Sequence, residues 1–206
     1  MRDGKALPDP TIGSQVVGAP RSVWSRHLLR PAELGMRRSL RGSEMFELYG
    51  TSEGIISRIA GVALRQALDY WKSIVAVHNI PSRNEVDPMA IPNLLPTTFI
   101  MIAEENGEFR YQLAGSKIEQ KFALGALAGK TPQEIMGERS KSAIEAYRRV
   151  RDETVLYYRD ANVAWISHRE EYCQNEVLLM PLSNDGVKVN MILGVQDFFR
   201  DPVKFS

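Results

Sequence analysis

Read for apolar and polar positions, the chain divides into three unequal parts. Residues 1 to 50 show no sustained period and carry scattered Gly, Pro and Ser. From Thr51 a helical period sets in. Ile56, Ile59, Ala63, Ala67, Trp71 and Ile74 recur at three- and four-residue spacing, and Leu64, Leu68 and Val75 widen the stripe. Thr51 or Ser52 is placed to cap this helix, and Glu53 lies in its first turn. Pro81 disfavours helix just before it, so the helix should end near His78 to Ile80. After a proline-rich stretch the period drops to two. TTFIMIA and EFRYQLAG flank Asn106-Gly107, a hairpin signal of the type I′ kind. Phe109, Tyr111 and Leu113 alternate with Arg110 and Gln112, so one face of this strand is core.

Beyond the hairpin, SKIEQKFALG predicts a short helix with Ile118 and Phe122 inward. Gly125 and Gly129 break it, and GKTPQEIM predicts a loop and a turn carrying Ile135. A longer helix is predicted from Ser142 to about Tyr158, with Ala143, Tyr147, Val150 and Tyr157 on one stripe. Three strands should close the chain: NVAWISHRE, NEVLLMPL and VKVNMILGVQDF. In the last, Met191, Leu193 and Val195 alternate with polar Lys188 and Asn190 upstream, which assigns Met191 and Leu193 to the core face. The predicted fold is an α+β domain: a five-stranded antiparallel sheet, short helices on one face, and a leading amphipathic helix. The units are a basic, disordered extension over 1–50, the leading helix over 51–80, and the α+β domain over 81–200.

Composition and charge narrow the classes. The apolar fraction is 44 %, enough for a real core, and the net charge of +1 favours no class of partner. A single cysteine, Cys173, excludes an intrachain disulfide framework and fits a cytoplasmic location. No apolar run reaches the roughly 20 residues of a membrane helix, and MRDGKALPDP lacks the apolar core of a secretory signal. Six arginines between Arg21 and Arg41 stand against one acid, Glu33. A solvated tail is the plain reading of that segment. A basic arm touching nucleic acid or an acidic surface is the alternative.

Four prolines punctuate PSRNEVDPMAIPNLLP, residues 81–96, between the leading helix and the first strand. They restrict a connection whose geometry matters, and Asp87 before Pro88 suits a turn. Trp71, Arg83 and Asp87 are read as a structural collar. LDYW, PSRNEVDP, LLP and FRYQLAGSKI in this order resemble a bacterial group of small PAS-domain proteins. ALAGKTPQEI resembles the loop that follows in that group, and LLMPLSNDGVKVNMILG its C-terminal hairpin. The resemblance spans roughly Ala67 to Phe198. It implies a cytoplasmic sensory or interaction module, not a catalyst, with a small molecule enclosed between the sheet and the short helices. It also implies a homodimer through the 54–78 helix and an unidentified signalling protein as partner. With no output domain after Phe198, a stand-alone adaptor or sensor is expected.

The candidate ligand-binding residues are Phe99, Met101, Tyr111, Leu113, Ile118, Phe122, Trp165, Met191 and Leu193, with Val163 and Ile135 beside them. Tyr111 and Trp165 combine an aromatic body with a polar tip that needs a partner when buried. A fully packed core is the competing reading of the same residues, and the ligand or cofactor stays unknown. The predicted long helix has no histidine for haem; only His168 keeps that option. Cys173 lies outside a flavin-photosensor motif, and no histidine pair has zinc spacing. Glu104-Glu105 and Glu170-Glu171 fall at turns, where carboxylates are solvated. GALAGKT lacks the glycine spacing of a phosphate loop.

Overall fold

In a computed structural model, the chain is described at residues 36–40, 43–75, 80–122, 125–162 and 173–200. Seven strands form one sheet: β1 Met36–Leu40, β2 Ser43–Gly50, β3 Thr98–Ala103, β4 Phe109–Ala114, β5 Leu156–Asn162, β6 Cys173–Leu182 and β7 Met191–Arg200. Their order is β1-β2-β5-β6-β7-β3-β4, and every neighbouring pair is antiparallel. The helices are α1 Ser52–Ile56, α2 Val62–Val75, α3 Ser116–Phe122, α4 Pro132–Met136 and α5 Lys141–Glu153. The α+β class therefore holds, with two strands more than the five expected.

Those two strands correct the reading of residues 1–50. Met36–Leu40 and Ser43–Gly50 are not a disordered tail; they form a hairpin that docks on β5. Met45, Phe46, Glu47, Leu48 and Tyr49 alternate between the two faces of the sheet, a signal too short to stand out beside a basic, Gly-rich segment. The rest of the expected extension, 1–35 and 41–42, lies outside the described residues.

The predicted single helix is two. Thr51 caps α1 through its side chain, as expected. The chain then turns at Ser57–Gly61 before α2 begins. Three tertiary contacts fix the break. Ala60 N and Gly61 N donate to the Glu176 carboxylate at 3.0 and 2.8 Å, and Arg65 Nε donates to the Ile59 carbonyl at 2.9 Å. A side chain at Gly61 would put its Cβ 2.5 Å from a Glu176 oxygen, so only glycine allows the approach. Glu176 thus supplies from 115 residues away the acceptor that the start of α2 lacks locally.

Helix α2 lays Leu64, Ala67, Leu68 and Trp71 on one face of the sheet, the outer face. There they meet Ile100, Leu178, Met180, Met191, Leu193 and Val195. Each fully buried aliphatic side chain contributes about 1.5–3 kcal/mol. The collar follows on the same face. Trp71 Nε1 donates to the Pro181 carbonyl at 3.2 Å, and Ser183 N to the Pro81 carbonyl at 2.9 Å. Val86, Ile91 and Leu94 fill the remaining outer core.

Inside the collar Ser82 and Glu85 form a capping box, and Asp87 caps Pro88–Ala90 by accepting from Met89 N at 2.8 Å. The Tyr70 hydroxyl ties helix to collar: it donates to the Glu85 carbonyl at 3.2 Å and accepts from Asp87 N at 2.7 Å. Arg83 Nη1 donates to the Val86 carbonyl at 3.3 Å, so it closes its own turn and does not pair with Asp87. Gly115 seats the end of β4 against the collar, since a Cβ there would lie 2.1 Å from the Leu95 carbonyl.

Three further boundaries moved. The β3–β4 turn is a hairpin, but only Gly107 has positive φ; Glu105 and Asn106 keep negative φ, giving a type I turn followed by a left-handed glycine. The last predicted helix ends at Glu153, where Thr154 takes a left-handed conformation, and Tyr157 and Tyr158 belong to β5. Their helical spacing from Tyr147 and Val150 also fits a strand in which Tyr157 and Arg159 share one face. The expected strand NVAWISHRE, with Val163, Trp165 and His168, lies outside the described residues. Lys188 to Asn190 sit in the β6–β7 turn and not in a strand.

Candidate functional site

The opposite, inner face of the sheet carries the short helices. Rows of side chains across the strands build it. Tyr49, Tyr157 and Leu179 run through β2, β5 and β6 to Gly194 in β7 and Phe99 in β3. Gly194 is open because the Phe99 ring lies on it; a Cβ would sit 2.1 Å from that ring. The next row holds Ile192, Met101 and Tyr111. Over these rows pack Ile118 of α3, Leu127, and Ala146, Tyr147 and Val150 of α5. Phe122 and Ile135 are half-buried against the same cluster.

The structure therefore brings Phe99, Met101, Tyr111, Ile118 and Phe122 together, as the sequence predicts. It separates three others from them. Leu113 is 39 % exposed on the edge strand, because a bulge opposite Ile100/Met101 inserts Gln112 and reverses the alternation of β4. Met191 and Leu193 are buried on the outer face with α2, and Ile192 between them faces inward. The turn polar residues Lys188 and Asn190 had set the wrong parity for that strand. Trp165 lies outside the described residues. Of the collar, Trp71 is buried, Arg83 half-buried and Asp87 exposed, and all three serve the outer face.

Four residues that the sequence reading missed give the inner face its polar character: Tyr147, Tyr157, Arg159 and Asn175. The Tyr111 and Tyr147 phenols interact inside the cluster. Burial pushes both phenols up, and the nearby Arg159 charge partly offsets this. The Tyr157 hydroxyl donates to Glu47 Oε1 at 2.8 Å. Its phenol is raised well above the ordinary value by burial, lowered by Arg159 and raised again by Glu47. Tyr49, whose ring centroid is 4.7 Å from that of Tyr157, is pushed up to about 12, first by burial and then by Glu47. The Arg149 guanidinium lies 3.6 Å from the Tyr49 ring centroid and closes this end of the face. The signal that could have found these residues was YYRDAN read as a strand once Thr154 ended the helix.

Alternation along β5 and β6 places Arg159 and Asn175 on this same side, next to Tyr157 and Val177. Arg159 Nη2 donates to Asn175 Oδ1 at 3.0 Å, and Asn175 Nδ2 donates to the Asp197 carbonyl at 3.1 Å. Asn175 is fully buried. Among the described residues, no group of three or more His, Cys, Asp or Glu side chains is arranged to hold a metal ion.

An antiparallel sheet with helices on one face and a leading helix on the other forms an α+β domain with an aromatic interior as its candidate site. A family model described as PAS domain matches residues 59–196, which is well over half of the chain. The chain belongs to the PAS domain family. No curated protein and no solved structure matches it. The matched segment begins at Ile59, so the β1–β2 hairpin and α1 precede it. From outside the matched segment, β2 delivers Glu47 and Tyr49 to the inner face.

PAS domains serve in sensing and in protein interaction, which is the coarse role the family assigns. No helix among the described residues is long and apolar enough to cross a membrane. The helix expected to form a dimer seam has its apolar stripe occupied: Ile59 is 1 % and Leu68 0 % exposed, both against the chain's own sheet. Acidic substitutions at these positions would therefore report on folding before they reported on dimerisation.

Proposed function

We propose that this protein is a non-catalytic PAS sensor that holds a small molecule between the inner face of its sheet and helices α3 to α5, and passes the state of that face to a protein partner. The observation that carries this reading is the contrast in filling. The outer face is closed mainly by aliphatic side chains, with a few polar tips all bonded to protein, whereas the inner face gathers tyrosine hydroxyls, a guanidinium and a carboxamide among its aromatic rings. Polar groups in a packed core cost stability unless they are satisfied, and a bound molecule gives them a use. Two of the three helices over this face are short: α3 has seven residues and α4 five, beside the 13 of α5. Short elements open at low cost, which suits ligand entry and a ligand-dependent change of surface.

The test is binding of a neutral apolar fluorophore, N-phenyl-1-naphthylamine. We expect saturable binding near one site per chain, lost when Ile192→Trp fills the inner face and kept in the parent. Absence of saturable binding, or binding unaffected by Ile192→Trp, would move the reading to a ligand-free adaptor acting through surface contacts alone.

A further inference from the structure

Arg159 is held in an unusual way for a side chain on the inner face of a sheet. Its cross-strand neighbours are Glu47 and Val177. The Glu47 carboxylate accepts from the Tyr157 hydroxyl at 2.8 Å. Among the described residues, no ion pair is formed by Arg159. Its protein partner is a neutral acceptor, Asn175 Oδ1. The bond from Asn175 Nδ2 to the Asp197 carbonyl fixes which end of the amide faces the guanidinium. Among the described residues, Arg159 Nε is buried and has no hydrogen-bond partner. A guanidinium presents Nε and Nη2 along one edge, the edge that takes both oxygens of a carboxylate. Here Nε offers a spare donor on that edge, while Nη2 gives one of its two protons to Asn175. A buried cationic donor without an acceptor is costly, and an anion brought from outside would relieve it.

Resting on the reading that the inner face is a ligand site, we propose that its ligand is a small amphipathic carboxylate, with the carboxylate on the Nε–Nη2 edge of Arg159 and the apolar body against the aromatic cluster. The aromatic cluster and the charge are close enough to act on one molecule. The Arg159 charge reaches the phenols of Tyr111, Tyr147 and Tyr157, three residues of that cluster. Asn175 acts as a positioning residue. It orients the guanidinium without neutralising it, which an aspartate in its place would do. The selected class is an apolar body with one oxyanion; a neutral body of the same shape gains no such bond.

The test compares two probes of nearly the same skeleton on the folded full chain: 8-anilinonaphthalene-1-sulfonate, which carries an oxyanion, and neutral N-phenyl-1-naphthylamine. A charge-assisted bidentate contact predicts about tenfold tighter binding of the anionic probe. Arg159→Gln should abolish that preference and leave the neutral probe's affinity unchanged. Arg58→Gln, which removes an exposed cation lying over Phe46 on the outer face, should change neither. If Arg159→Gln does not fold, Arg159→Lys keeps the charge without the fork and should weaken the anionic probe about threefold or more. Decanoate, but not decan-1-ol, should displace the anionic probe. Failure of the neutral probe to bind would sink the ligand-site reading and this inference with it. Binding of the neutral probe with no preference for the anion, or a preference that survives both Arg159 substitutions, would overturn the inference alone.

Discussion

The two faces of the sheet are filled by different chemistry. The outer face is mainly aliphatic, its main polar anchors being the Glu176 carboxylate, the Tyr158 hydroxyl and the Trp71 indole, all with protein partners. Tyr158 OH donates to Glu176 Oε1 at 2.7 Å, and burial followed by that bond raises its phenol. The inner face is aromatic and polar, and it leaves Arg159 Nε with none. A face whose polar groups are all answered is built to stay closed. A face with an unanswered buried N–H donor has room in its hydrogen bonding for something more. The difference separates attachment of the leading helix from the candidate site, although both share the same strands.

The largest expected effect tests the outer face. Trp71→Ala should cost about 3–5 kcal/mol in urea unfolding, because it empties a fully buried site and frees the Pro181 carbonyl. Next comes Glu176→Ala, at about 2–4 kcal/mol, since it strips the acceptor from two backbone N–H groups and a tyrosine hydroxyl together. Hydrogen exchange should show the amides at the start of α2 losing protection first. Uniform loss across the sheet would show that Glu176 is not a local anchor of the helix.

A smaller effect belongs to the collar. Asp87→Ala should cost about 1 kcal/mol through loss of the cap on Pro88–Ala90, and Arg83→Ala less, since its one bond to Val86 is long. Neither should alter probe binding on the inner face, which lies across the sheet. A melting temperature unchanged by both substitutions would remove the collar's role in stability. Tyr111→Phe should also cost about 1 kcal/mol, the worth of a buried hydroxyl that interacts with Tyr147. A larger loss than that of Trp71→Ala would break the contrast between the faces.

The smallest effects are read by titration. The phenols of Tyr111, Tyr147 and Tyr157 are raised in the folded chain, so they keep their protons when those of the unfolded chain are lost. Their contribution to stability is full below the ordinary tyrosine value of 10.0 and declines as pH rises above it. Ultraviolet titration should leave these three protonated at about pH 11 until the protein unfolds. Asp185 behaves oppositely. Backbone N–H groups of Lys188 and Val187 and the Ser183 hydroxyl hold its carboxyl at about 2, so this turn contributes above the ordinary aspartate value and weakens as pH falls toward 2. Carbon-detected NMR of the carboxyl should show that low midpoint; a midpoint near 4 would remove this role.

Much of the fold was legible because it rests on local pattern. The α2 stripe, the β3–β4 hairpin, α3 and the β6 strand follow from periods of 3.6 and 2. Half of the candidate site was legible for the same reason: Phe99, Met101, Tyr111, Ile118 and Phe122 lie on elements whose inward face could be read. The failures share a cause. Leu113 was misplaced by a bulge, Met191 and Leu193 by a strand that starts three residues later than the alternation began, and Tyr157 by a helix that Thr154 stops. In the two strand cases one residue of register reverses which side the strand presents.

The sequence by itself determined the α+β class, the PAS-like order of elements and the placement of the collar, because helix periods, turn residues and prolines act through bonds and near neighbours. Only the tertiary structure decided where the leading helix breaks, which strand the N-terminal hairpin joins, and that one N–H of a guanidinium lies unanswered beside the aromatic interior. Glu176 meets Gly61 across 115 residues, and Glu47 meets Tyr157 across 110. No local spacing encodes such pairs. They exist once the sheet has brought distant strands within hydrogen-bond distance.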